Sequence, residues 1–183
     1  MRKLGEIIGK TSTNFFKFKC DVEVKKFEYV TVTHNNNQIL SQITELERNS
    51  EQLTAFCQVI GYKDENNKFQ KVKVPFLISA SVYLATDDYI KQIIKLQDQD
   101  NGAYVGKLEG KDIDVFLDIN RLISKHLSVL AKSGSGKSYC VGVILEEIIQ
   151  RGIPLLIIDP HGEYNTLKSP NDDKRGLDNL KRF

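Results

Sequence analysis

The chain has no tryptophan, three cysteines, four prolines and one methionine in 183 residues. Cys20, Cys57 and Cys140 are odd in number, far apart, and each is set in an apolar pattern. That arrangement argues against a disulfide framework or metal ligands and for small buried hydrophobes, the cysteine usage of a reducing cytoplasm. Long hydrophobic runs are missing too. No stretch approaches the ~18 residues that a membrane span requires, and Met1 to Lys10 lacks the apolar core of a signal peptide. Nor is there a block of one charge: 26 Lys+Arg face 24 Asp+Glu, spread evenly, for a net charge of +2. Charge alone therefore announces no nucleic acid. With 40% hydrophobic residues, the composition is ordinary globular, and the length suits one domain or a small domain plus part of another.

What the first hundred residues do have is alternation. Phe16, Phe18, Cys20, Val22 and Val24 are interleaved with Lys17, Lys19, Asp21 and Glu23. Leu53, Ala55, Cys57 and Val59 repeat the pattern, as do Val72, Val74 and Phe76, and then Ile113, Val115 and Leu117. Period two with one apolar face predicts half-buried strands. Leu4 to Ile8 and Phe27 to Thr33 are further candidates. Turn signals separate them at Asn35-Asn36-Asn37, Lys63 to Asn67 and Asn101-Gly102. Strands this short and this numerous suggest a small closed barrel. Thr86-Asp87-Asp88 followed by Ile90, Ile93 and Ile94 predicts a capped helix over Asp87 to Gln97, plugging or flanking that barrel.

After Asp118 the character changes. Asn120 to Lys125 reads as a connector, His126 to Leu130 as a strand, and Ser138 to Arg151 as a helix stopped by Gly152 and Pro154. Leu155 to Asp159 is an apolar run typical of a strand buried on both faces. Strand, helix, strand makes a βαβ unit. Between its first strand and its helix lies Ala131-Lys132-Ser133-Gly134-Ser135-Gly136-Lys137-Ser138, a match to the P-loop pattern with Ala131 in place of the first glycine. Gly134 and Gly136 free the backbone to approach a ligand closely, and the amides of Gly134 to Ser138 then line a concavity at a helix N-terminus. Such a cradle, flanked by Ser133 and Tyr139, suits ATP. Lys137 reaches the β/γ-phosphates and the Ser138 hydroxyl can ligand Mg²⁺. The fold class is therefore a small β-barrel over residues 1–118, followed over 119–183 by the first βαβ unit of an α/β P-loop NTPase domain of RecA-like type, expected to be incomplete.

Asp159-Pro160-His161-Gly162-Glu163-Tyr164 leaves the end of the second apolar run, the edge where ligands bind in open α/β sheets. Chemistry alone leaves two readings. Asp159 could hold Mg²⁺ through water, or an acid here could orient an attacking water. Alternatively, Asp159 caps a turn and Glu163 is solvated.

Ala131 to Tyr139 together with Leu155 to Tyr164 resembles the HerA branch of the HerA/FtsK superfamily of ring-shaped DNA motors. Ile158 to Tyr164 is the most telling phrase, because generic P-loop proteins lack it. Gly106 to Gly110, Ile113 to Asn120 and His126-Leu127 also resemble that family, and the barrel would match its HAS-barrel. The resemblance implies a cytoplasmic, hexameric ATPase that pumps double-stranded DNA and works with a NurA-type nuclease in DNA end processing. It places Lys137, Asp159 and Glu163 among the catalytic residues. Other members of the superfamily serving conjugation or defence, and a non-enzymatic barrel adaptor with a nucleotide site, are the alternatives. The family's later acidic strand, catalytic glutamate and arginine finger have no counterpart before Phe183. The chain by itself is therefore expected not to turn over ATP.

Overall fold

The computed structural model describes residues 1–168 apart from Glu51, Lys95, Asp98 and Asn101. It falls into two compact units: Met1–Lys95 with Leu108–Ile113, and Leu96–Lys107 with the chain from Asp114 onward. Of the predicted turn signals, Asn101 lies outside the described residues, as does the polar stretch from Ser169.

The first unit is the expected barrel. Its strands are β1 (Lys3–Ile8), β2 (Phe15–Cys20), β3 (Tyr29–His34), β4 (Asn37–Arg48), β5 (Leu53–Lys63), the two-residue β6 (Phe69–Gln70) and β7 (Ser81–Leu84). The spatial order is β2-β1-β7-β3-β4-β5, every neighbour antiparallel, with β6 hung on β5. Pairing of β2 with β5, from Phe15↔Gln58 to Lys19↔Thr54, closes the six strands and removes their open edges. Phe16 and Phe18 of β2 point inward and are fully buried, as are Ile7, Val30, Ile43, Ala55 and Val82. On β3 and β4, Thr31 and Leu40 lie on the opposite face from Val32 and Ile39 and are buried as well. Asn35 and Asn36, at φ 48° and 61°, make the tight turn between β3 and β4 that their side-chain chemistry predicts.

Three local expectations change. Val72 and Phe76 are buried as predicted, but Val74 is exposed, and residues 71–80 carry no strand. Pro75 has no N–H to give a ladder, and the Phe76 carbonyl accepts the Thr11 hydroxyl at 2.8 Å instead. The predicted helix is α1 (Asp87–Ile94), begun by the Thr86 hydroxyl, which accepts the Tyr89 N–H at 3.4 Å. It flanks the barrel: the Tyr89 hydroxyl donates to the Gln38 carbonyl of β4, and Ile90 and Ile93 are not part of the barrel's interior cluster. Asn120 to Lys125 is largely helical, forming α2 (Ile119–Ser124), with Asp118 accepting the Arg121 N–H at 3.1 Å as its N-cap.

The second unit holds the hairpin β8 (Gly102–Lys107) and β9 (Asp114–Asp118), then α2, α3 (Lys137–Gln150) and a short 3₁₀ turn at Asn165–Lys168. The expected division at residue 118 is thus not the one observed. β8 and β9 pair only with each other among the described residues, and Ala103 of β8 packs with Ile119, Ile144 and Ile148. The alternation of Val115 and Leu117 marks a strand but cannot say which core the strand serves. Only the connecting segment Leu108–Ile113 belongs to the first unit, where Lys111 pairs with Asp87 at 2.7 Å.

The order apolar run, glycine loop, helix, apolar run is that of a βαβ unit. Residues 126–130 and 155–158 carry no ladder among the described residues, and Leu130, Leu156 and Ile158 are exposed. A strand exists through its partners' N–H and C=O groups, so an apolar run without a paired neighbour is not yet one. No described helix is long and apolar enough to cross a membrane.

Two substitutions separate crowding from mere burial. A Cβ on Gly5 would come 1.8 Å from the Lys19 carbonyl oxygen of the neighbouring strand, a backbone atom that cannot step aside. Gly5→Ala is expected to cost about 3 kcal/mol or more in denaturant unfolding. Ser41 is fully buried and its Oγ meets no partner among the described residues, so Ser41→Ala should stay within about 1 kcal/mol of neutral.

Candidate functional site

The glycine loop owes its shape to two left-handed residues, Gly134 at φ 76° and Gly136 at φ 86°. Between them the Ser135 hydroxyl donates to the Lys132 carbonyl at 2.7 Å, and the Ser135 N–H donates to the same oxygen at 3.3 Å. Gly136 is then the N-cap of α3 and offers no side chain to its amides. A Cβ on either glycine would meet nothing within 4 Å. Backbone conformation, not crowding, is therefore what demands glycine, and the space beside the loop is open for a ligand. Left-handed backbone, uncapped first-turn amides and open space fit a polyphosphate. The first turn of α3 carries no acid that would oppose it. Residues 131–137 are exposed, as is Tyr139, while Ser138 is half-buried.

α3 is fixed at its other end. Gly152, at φ 69°, lets its own N–H reach the Ile149 carbonyl at 2.9 Å and the Ile153 N–H reach the Ile148 carbonyl at 3.4 Å, a full Schellman motif. Arg151 donates to the Glu147 carbonyl and carboxylate, both at 2.7 Å, and to the Gly102 carbonyl. A cation there complements the helix C-terminus. A cavity of about 640 Å³ at this end is lined by Tyr104, Lys107, Asp114, Phe116 and Arg151 among others. Its charges are of mixed sign and it does not include the glycine loop. We place the chemistry at the loop.

The two acids of the second motif do different things. Asp159 turns back on its own chain: its carboxylate accepts the Tyr164 N–H at 2.9 Å. That hydrogen bond holds its carboxyl below the usual carboxylate range against the opposing effect of burial, helped by the amides of Glu163, Gly162 and His161. Gly162, at φ 71°, makes the turn possible. The turn presents Glu163, whose carboxylate accepts the Ser138 hydroxyl. The structure thus brings Ser138 and Glu163 together and commits Asp159 to the turn. No described cluster of three or more His, Cys, Asp or Glu side chains could hold a metal unaided. His126 is exposed. Cys57 sits in the barrel core with its thiol pushed up by burial, and burial pushes Cys20 up to about 11.

A barrel followed in the chain by the βαβ order of apolar run, glycine loop, helix and apolar run defines the fold class of a P-loop NTPase with an appended barrel. Residues 103–182 match the family model described as the helicase HerA central domain. The chain is 31% identical over 164 residues to a probable DNA double-strand break repair helicase HerA of Methanocaldococcus jannaschii, covering 88% of this chain and 32% of that protein. It is 32% identical to the DNA double-strand break repair helicase HerA of Pyrococcus furiosus, over 76% of this chain and 25% of that protein. To an uncharacterized protein of Aquifex aeolicus it is also 32% identical, over 88% of this chain and 57% of that protein. Most of the chain is thus similar to part of the HerA helicases, and residues 103–182 carry the pattern of the HerA central domain. The chain spans between about a quarter and just over half of the length of these relatives.

The turn at Asp159 has a pH signature. A carboxyl with a depressed folded-state pKa contributes its full stability above the ordinary carboxylate pKa and loses it as pH falls through the lower value. NMR titration of Asp159 should show a midpoint below that of the same residue in an unfolded peptide. Asp159→Ala should speed amide exchange at Tyr164. An ordinary midpoint would contradict the turn described here.

Proposed function

We propose that this chain serves in an ATP-driven motor of HerA type acting on double-stranded DNA. The observation that carries the reading is the loop itself: left-handed Gly134 and Gly136, an uncapped α3 N-terminus, and open space beside them. The amides of Ser133 to Tyr139 line the phosphate site, the Lys137 ammonium lies along the β/γ-phosphates, and Ser138 offers its oxygen to the cation. Mg²⁺ held through Ser138 would supply positive charge to offset that of the phosphates. Glu163 stands on the acidic side of the site, and Asp159 shapes the turn that carries it. DNA repair is supported by the similarity to the DNA double-strand break repair helicases of M. jannaschii and P. furiosus. A hexameric ring and a NurA-type nuclease partner in DNA end processing extend the same reading, supported by the family resemblance of Ile158 to Tyr164.

Nucleotide binding is the part to test first. In calorimetry with Mg·ADP on a protein containing the complete ATPase domain, Lys137→Ala is expected to weaken binding by about 10–100-fold, the worth of a charge-assisted contact. Ala131→Gly should be close to neutral. Equal affinity of wild type and Lys137→Ala would remove the nucleotide site from the proposal.

A further inference from the structure

We propose that Glu163 is the positioning residue for the cation-binding hydroxyl of Ser138, and that Asp159 builds the turn that holds it there. This deepens the nucleotide reading and rests on it. A serine hydroxyl has one proton and two lone pairs. In the structure the proton is committed to the Glu163 carboxylate. Both lone pairs are then left for other partners, and an oxygen so turned is what a hard cation takes as a ligand. A hydroxyl free to rotate would spend part of its time presenting the proton instead.

The fit depends on chain geometry that a solvated glutamate would not need. Ser138 is in the first turn of α3 and half-buried, while Glu163 is 25 residues further on. Gly162 reverses the chain immediately before Glu163, its carbonyl accepting the Asn165 side-chain amide at 3.1 Å. A Cβ at Gly162 would come 3.0 Å from that same amide nitrogen. On the other side the Tyr164 N–H is tied to Asp159 at 2.9 Å. Glu163 is therefore held from both neighbours in sequence. Asp159, with an oxygen already spent on a backbone amide, is the poorer candidate for the cation side of the site. The two acids, alike in the sequence, divide into one that shapes and one that orients.

The experiment measures ADP affinity of the full-length protein in EDTA and again in Mg²⁺, with Mn²⁺ binding followed by electron paramagnetic resonance. Wild type should bind ADP more tightly with Mg²⁺. Glu163→Ala should reduce the metal-dependent gain, and Mn²⁺ affinity in the presence of ADP, by about 10–100-fold, the usual cost of losing a group that orients a metal ligand. Its affinity in EDTA should stay within about twofold of wild type. Glu163→Gln keeps an oxygen that can accept the Ser138 proton and should recover much of the gain; it also serves should the alanine variant fail to fold. Unchanged metal dependence in Glu163→Ala would overturn the proposal, and so would a loss in Glu163→Gln as large as in Glu163→Ala, since that result assigns the effect to charge. Lys137→Ala, measured alongside, distinguishes the two levels: wild-type affinity there would overturn the nucleotide reading and this proposal with it, whereas loss there with an unaffected Glu163→Ala overturns this proposal alone.

Discussion

Closure of the barrel between β2 and β5 is the constraint on which the first unit depends. Across that seam Phe16 faces Cys57 and Phe18 faces Ala55, large against small in both pairs. On its other side Phe18 lies opposite Ile7, and a Cβ on nearby Gly5 would reach 3.0 Å from its ring. Two phenylalanines therefore fill the barrel because three flanking positions are small. The register that closes the sheet is also the one that packs its interior, so a slip of one residue would turn Phe16 and Phe18 outward and open an edge at once. Cys57 belongs here as a small apolar side chain, and Cys20 lies opposite Gly5 in the same region.

In the second unit the corresponding constraint is the asymmetry of α3. Its C-terminal end is closed by a Schellman motif at Gly152 and by Arg151, which satisfies a helix carbonyl and reaches β8. Its N-terminal end has no side-chain cap. A helix fixed at one end and unsatisfied at the other concentrates its free amides and the positive end of its dipole in one place. Ile144 and Ile148 pack against Ala103 and Ile119, anchoring the shaft, while the glycine loop stays exposed. Anchorage on the hairpin is what lets the loop remain open without loss of position.

How far these features can be read from the residues depends on whether the signal is local. The glycine loop is legible because Gly134, Gly136, Lys137 and Ser138 act within one turn of chain. So are β2 and the first part of β5, where Leu53, Ala55, Cys57 and Val59 alternate with the residues between them. β4 is the longest strand of the barrel and is silent in the sequence: the extra residue Thr44, between Ile43 and Glu45, breaks its period of two. β7 is too short, at four residues, to show a period. Val72 to Phe76 shows the opposite failure: the residues alternate in the sequence, yet Val74 is exposed and no ladder forms there. Asp159 and Glu163 were legible as a motif but not as separate roles, because the Ser138 contact spans 25 residues of sequence.

The same limit explains the boundary. Chain passes between the two units at Lys95–Leu96, Lys107–Leu108 and Lys107's partner end, Ile113–Asp114, so they are not strung on a single linker. Gly110, at φ 78°, sits where a Cβ would come 2.5 Å from the Phe27 carbonyl oxygen, and Lys111 pairs with Asp87. Those contacts hold the segment Leu108–Ile113 in the first unit. The strand before it, β8, carries Ala103 and Val105 into the cluster with Ile144 and Ile148 of α3. A cut at residue 118 would keep the hairpin and remove Ile119, Ile144 and Ile148, leaving the apolar face of β8 without its cover. The two strands of the hairpin therefore belong to the second unit and the segment joining them to the first, and no single position in the sequence divides the two.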